Sequence, residues 1–151
     1  MVILTEVIKL KIDNIDRIDI KDIEGNNNIV FDTNFLFVTF LYDIDIIREL
    51  EKNFGINYSL YIFEGTLSEL EKVNQKKDKK RKKSLPLVRK FLELYNFRII
   101  NSSNTYVDSD FIQNHDKGLI FATSDKALKK KLREKSAKVL FLRQKSYLEL
   151  E

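Results

Sequence analysis

Residues 27–38 read NNNIVFDTNFLF. Ile29, Val30 and Phe31 form an uninterrupted apolar run, the pattern of a strand buried on both faces. Phe35, Leu36 and Phe37 resume the run, and Asp32, Thr33 and Asn34 lie at the seam. An acid held between two apolar segments is partly desolvated. Such a carboxylate is costly unless it is paired or binds a metal. The stretch therefore predicts a buried strand over 29–32 with a site at its carboxyl end.

Working outward, DIDIIRELEKNFG (43–55) reads as a helix. Ile46, Ile47, Leu50 and Phe54 share a face, an Asp caps the start and Gly55 sits just past the end. YSLYIF (58–63) is strand-like, and TLSELEKVNQ (66–75) is a helix. Its Thr66 and Glu69 have capping-box spacing, with Thr66 as N-cap. LVRKFLELYN (87–96) is a second helix and FRII (97–100) a strand. DSDFIQNHDKG (108–118) opens as a short helix, followed by strand LIFAT (119–123), helix DKALKKKLREK (125–135) and strand KVLFL (138–142). Strands alternating with helices predict an α/β fold, a parallel sheet covered on both faces. Upstream, VIKLKID (7–13) alternates as a strand, NIDRIDIKDIEG (14–25) fits no single period, and GNNN (25–28) is a turn. The chain divides into an N-terminal extension, 1–27, an extra strand or hairpin that covers a sheet edge, and a domain over 28–151.

Composition sets bounds. The 151 residues suit one domain, with 43% hydrophobic and 33% charged residues. Cysteine is absent, which removes disulfides, thiolate metal sites and a cysteine nucleophile. No apolar run approaches the ~18 residues of a membrane span, and the start lacks signal-peptide features; a cytoplasmic protein with no membrane partner is expected. Net charge is +4, and the excess concentrates in KKDKKRKK (76–83) and KALKKKLREK (126–135).

Ligands of parallel α/β sheets bind beyond the carboxyl ends of the strands. Asp32 lies there, Glu69 is in the first turn of the next helix, Asp108 and Asp110 open another, and Asp125 follows LIFAT. Each acid has a plain structural use, since a carboxylate in a first turn stabilises a helix by ~0.3–1 kcal/mol. Together they repel, which calls for a cation. Oxygen-only ligands favour Mg²⁺ or Mn²⁺, and such ions activate water and stabilise phosphoryl oxyanions. Acids beside a basic surface point to phosphodiester hydrolysis. The single His115 is expected on a helix surface without a catalytic part.

The motifs VFDTNFL, TLSELEK, VDSDFI and FATSDKALKKKL, in this order and spacing, resemble the PIN-domain nucleases. The ending VLFLRQKSYLEL and the lysine-bearing segment resemble the archaeal branch related to the small-subunit ribosomal RNA processing endonuclease. The resemblance implies a Rossmann-like three-layer α/β/α domain and an acidic pocket for Mg²⁺ or Mn²⁺. It implies a metal-dependent endoribonuclease acting on RNA, with structured precursor ribosomal RNA as substrate. Asp32, Glu69 and Asp125 carry over as catalytic metal ligands, Asp32 centrally and Asp125 nearer the outer shell. Asn34 and Thr123 match positions that place the acids or the substrate. The third acid is Asp108 or Asp110: Ser109 separates them, and side chains at i and i+2 of a helix point ~200° apart. Asp108 is preferred as metal ligand, and both are candidates for catalysis. Lys79, Lys80, Arg81 and Lys82 are expected to bind RNA phosphates. A homodimer fits the resemblance, since such domains often pair. The competing readings are a toxin-type PIN ribonuclease and a catalytically silent RNA-binding scaffold in ribosome assembly. A phosphoacceptor receiver domain fits poorly, because it needs paired acids at its first strand.

Overall fold

The computed structural model describes residues 15–75, 79–102, 104 and 106–151. The strand expected at 7–13 lies outside them. Strands are β1 (Arg17–Ile18), β2 (Asn28–Phe31), β3 (Ser59–Phe63), β4 (Arg98–Ile100), β5 (Leu119–Ala122), β6 (Lys138–Arg143) and β7 (Tyr147–Leu150). Helices are α1 (Val38–Tyr42), α2 (Ile46–Phe54), α3 (Glu64–Gln75), α4 (Lys79–Leu94), α5 (Val107–Gln113) and α6 (Lys126–Glu134), with short 3-10 turns at Ile20–Asp22 and Asn34–Phe37. The strands form one sheet in the order β1-β4-β3-β2-β5-β6-β7. Its pairs are parallel except β6 with β7. This is the expected α/β fold with helices on both faces.

Strand alternation sorts the core into two layers. Ile29 and Phe31, Leu60 and Ile62, and Ile120 and Ala122 face α1–α4. Val30, Tyr61, Phe63, Leu119 and Phe121 face α5 and α6 through Val107, Phe111, Leu128 and Leu132. Asp45 caps α2 by accepting from the Arg48 amide at 3.1 Å. Gly55 ends α2 with φ 68°, a conformation open to glycine at little cost. Buried Glu49 on α2 accepts the Leu148 amide at 3.0 Å and pairs with Lys52 at 3.0 Å, which fastens β7 to the helix layer.

Four local expectations change. Helix α3 starts at Glu64 without a loop after β3, so Thr66 lies inside the helix and is not its N-cap. Its hydroxyl is fully buried and bonded to that of Thr33 at 3.1 Å. Helix α4 begins within the basic run and continues through Pro86, eight residues before the start expected at 87. The exposed proline lacks one helix N–H, and packing of Leu85, Val88, Phe91 and Leu92 holds the helix on either side. Strand β7 adds an antiparallel edge beyond the expected elements. His115 follows α5 in a turn, half-buried, with an unpartnered Nδ1, and so does not stand on a helix surface. Within 14–25, β1 pairs with β4 in parallel, fixed by the Ile99 amide on the Asp16 carbonyl at 2.8 Å and the Asn101 amide on the Ile18 carbonyl at 3.0 Å.

Candidate active site at the carboxyl edge of the sheet

Strands β2 and β5 are neighbours at the centre of the sheet, so their ends deliver Asp32 and Asp125 to one place. The Asp32 amide continues the ladder, donating to the Ala122 carbonyl at 2.8 Å. Its side chain is only 5% exposed. The Thr123 hydroxyl donates to Asp32 Oδ2 at 2.9 Å and accepts the Asp125 amide at 3.1 Å. Asp125 Oδ1 in turn caps α6 by accepting the Ala127 and Leu128 amides at 2.9 and 3.1 Å. One hydroxyl thus fixes the central acid and the loop carrying the fourth. Thr123 is 1% exposed, so its hydroxyl is turned to these two acids.

The Thr33–Thr66 bond ties the loop after β2 to α3, one turn ahead of Glu69. Burial pushes the Asp32 carboxyl up to about 6; the Thr123 bond opposes this, and the charges of Asp108 and Glu69 add to it. Asp108 is also raised, by burial of its carboxyl and by Asp125, against the pull of Lys131. Asp32, Glu69, Asp108 and Asp125 therefore share one electrostatic neighbourhood. None of them has a salt-bridge partner among the described residues.

Asp110 does not join them. Both acids lie within α5, so their side chains diverge, and Asp110 is 1% exposed. It accepts from the Ser102 hydroxyl and, at 2.8 Å, from Asn104 Nδ2. Through Oδ1 it holds the segment after β4 against α5, on the other side of the helix from Asp108, and its Oδ2 is buried without a hydrogen-bond partner among the described residues. Asn34 stands exposed at the head of the 3-10 turn, two residues past Asp32. Lys79, Lys80 and Lys82 are exposed on the first turns of α4. Arg81 lies 5.8 Å from the centroid of the Phe37 ring, bringing this basic turn onto the loop that follows Asp32. Lys76 and Lys77 lie outside the described residues.

The donor set fits a hard divalent cation in chemistry. It is all oxygen, its central acid is desolvated, and its neighbours raise that acid's affinity for positive charge. As placed, no three acidic or histidine side chains among the described residues are spaced to grip one ion. Sequence reasoning missed the Thr33–Thr66 tie. Thr33 stands inside the D-T-N stretch, but its partner is 33 residues away and signalled by nothing local.

Comparison with known proteins agrees with this architecture. The family model of a PIN like domain matches residues 29–145. Ribonuclease VapC4 of Methanocaldococcus jannaschii is 31% identical over 124 residues, 81% of this chain and 95% of that protein. The solved PIN domain endonuclease Utp24 superposes with a TM-score of 0.66 at 22% identity, covering 82% of this chain and 90% of that one. A match spanning the sheet from β2 into the β6–β7 hairpin, with a relative aligned over most of both lengths, places the chain in the PIN-like domain family.

Proposed function

We propose that the protein is a metal-dependent endoribonuclease of the cytoplasm, with Asp32, Glu69, Asp108 and Asp125 as its catalytic acids. The observation that carries the reading is buried Asp32, raised to about 6 beside Glu69 and Asp108. A desolvated acid among like charges is an unstable arrangement that a cation relieves. Mg²⁺ or Mn²⁺ held there would stabilise charge on a phosphoryl oxygen and lower the pKa of a bound water. Asp32 supplies the inner carboxylate, its orientation set by Thr123. Asp125 spends one oxygen on the α6 cap and keeps the other for the cleft. Glu69 and Asp108 complete the negative field, and exposed Asn34 is placed to contact substrate.

Precursor ribosomal RNA is the substrate suggested by the sequence resemblance. A toxin-type role is supported by a specific finding, the 31% identity to a protein named a ribonuclease VapC4. Cleavage of precursor ribosomal RNA and of unrelated RNAs, with and without Mn²⁺, separates the two. Selective cuts in the precursor favour processing, and growth arrest on expression that depends on Asp32 favours the toxin. Asp32→Asn abolishes cleavage in either case. RNA binding without cleavage under any divalent ion would leave the scaffold reading standing.

A further inference from the structure

A second basic surface adjoins the acids, built from residues other than the basic first turns of α4. Helix α6 and the β6–β7 hairpin enclose a groove of about 600 Å³. Thr123 and Asp125 are among the residues that line it, and Thr123 is the residue bonded to Asp32. The groove therefore opens directly from the acidic centre. We infer that it holds the unpaired RNA strand next to the cleaved bond, with phosphates on Lys126, Lys130 and Lys145 and one base stacked on Tyr42. This rests on the ribonuclease reading and assigns the residues that hold the strand beside the site.

Charge carries the first part. Two cations of the groove are satisfied internally, Lys129 by Glu151 at 3.0 Å and Arg143 by Glu149 at 2.7 Å. Lys126, Lys130, Arg133 and Lys145 also line it and have no ion pair among the described residues. Three of these stand at i, i+4 and i+7 on one face of α6. Like charges at that spacing destabilise a helix, and Lys126 stands at the positive end of the dipole, which disfavours a cation. Arg133, in the last turn, is favoured by the dipole and donates to the Ala137 carbonyl at 3.3 Å, so the cost falls on Lys126 and Lys130 unless an anion meets them.

Aromatic placement carries the second part. Lys129 Nζ already covers the Phe141 ring, 3.2 Å from its centroid. Tyr42, the last residue of α1, lines the same groove and is 42% exposed. At the hairpin tip Gln144 and Lys145 adopt left-handed backbone, φ 53° and 51°. That turn brings Lys145 Nζ to 5.5 Å from the Tyr42 centroid. An exposed ring rimmed by cations is the platform that single-stranded nucleic acid uses. A duplex keeps its bases stacked and cannot offer one to the ring.

Binding is measured in EDTA, so that it is read independently of cleavage. The probes are a labelled single-stranded 12-mer RNA, the same sequence as a duplex, and polyglutamate, with salt varied. Replacing Lys126, Lys130 and Lys145 by Ala should flatten the log–log salt slope by about 2, at ~0.7 per phosphate contact. Tyr42→Ala should weaken single-strand binding about tenfold and leave the duplex unchanged, while Tyr42→Phe retains binding. Unchanged unfolding midpoints show that the variants are folded. Equal effects on duplex and single strand, wild-type binding by Tyr42→Ala, or polyglutamate bound as tightly as RNA overturns the inference, the last by showing a groove for an acidic protein segment. Loss of binding as expected, in a protein that leaves RNA uncut whichever divalent ion is supplied, would refute the nuclease and keep the groove.

Discussion

Asp32→Asn tests the electrostatics of the site without any substrate. The carboxyl is at about 6 in the folded chain against 3.8 ordinarily. Below pH 3.8 both states hold the proton and the group is neutral in effect. Between 3.8 and 6 the unfolded chain has released its proton while the folded one keeps it, so stability falls as pH rises. Above 6 both are ionised and the loss is complete, about 3 kcal/mol at ~1.4 kcal/mol per pH unit. About 2 kcal/mol of it falls between pH 4.5 and 7.5. The group is nearly fully buried, so solvent screening takes little of this. The amide removes the titration but leaves its NH₂ short of a partner, a pH-independent cost of ~1–3 kcal/mol. Urea denaturation in EDTA should therefore show the variant gaining about 2 kcal/mol on the wild type from pH 4.5 to 7.5. Mn²⁺ at about 100 times its Kd should stabilise the wild type by ~2.7 kcal/mol and the variant far less. A difference between the two proteins that does not change with pH refutes the placement of Asp32 among desolvating neighbours. Equal stabilisation by Mn²⁺ refutes its part in holding the ion.

Thr123→Val removes the bond that opposes the rise of Asp32 and should lower Mn²⁺ affinity in calorimetric titration, with ~1–2 kcal/mol lost in stability. Asp108→Asn should weaken Mn²⁺ binding with little change in urea midpoint, whereas Asp110→Asn should shift the midpoint and spare the metal. Replacing Lys79, Lys80, Arg81 and Lys82 by Ala should weaken RNA binding at low salt and flatten its salt dependence by ~0.7 per lost contact, while the rate of the bound complex falls much less than with Asp32→Asn. Glu49→Gln should cost ~1–3 kcal/mol: burial works against its charge, but the Leu148 amide and Lys52 prevail and hold it below the usual range. That stability is present above the ordinary carboxyl pKa and lost as pH falls through the lowered one, so urea midpoints of wild type and variant should converge in acid.

The parts of this fold that were legible are those whose environment is uniform along the chain. β2, β3 and β5 are covered on both faces, and such strands read as continuous apolar runs whatever their neighbours. Asp32 and Asp125 were legible because each ends such a run. Thr66 was misread because a capping-box spacing is local, whereas the start of α3 is set by β3 running straight into it. The basic run gave no sign of a helix, since its charge and Pro86 both argue against one; packing of α4 on the loop after Asp32 overrides them. β7 was hidden by its turn, which uses Gln144 and Lys145 where a glycine would have marked a hairpin.

The site itself divides along the same line. Which acids exist could be read from the chain, but which of them act together depends on rotation about α5, and that is settled only when Phe111 packs on Phe63 and Phe121. Burying Phe111 fixes the helix so that Asp110 turns inward to Ser102 and Asn104, and Asp108, two residues earlier, turns outward toward Asp32 and Asp125. The same apolar contact thus buries one acid against Ser102 and Asn104 and leaves the other exposed beside Asp125. A substitution that frees α5 to rotate, such as Phe111→Ala, should weaken Mn²⁺ binding beyond what its stability loss explains, although the Phe111 ring packs on Phe63 and Phe121 and offers no ligand.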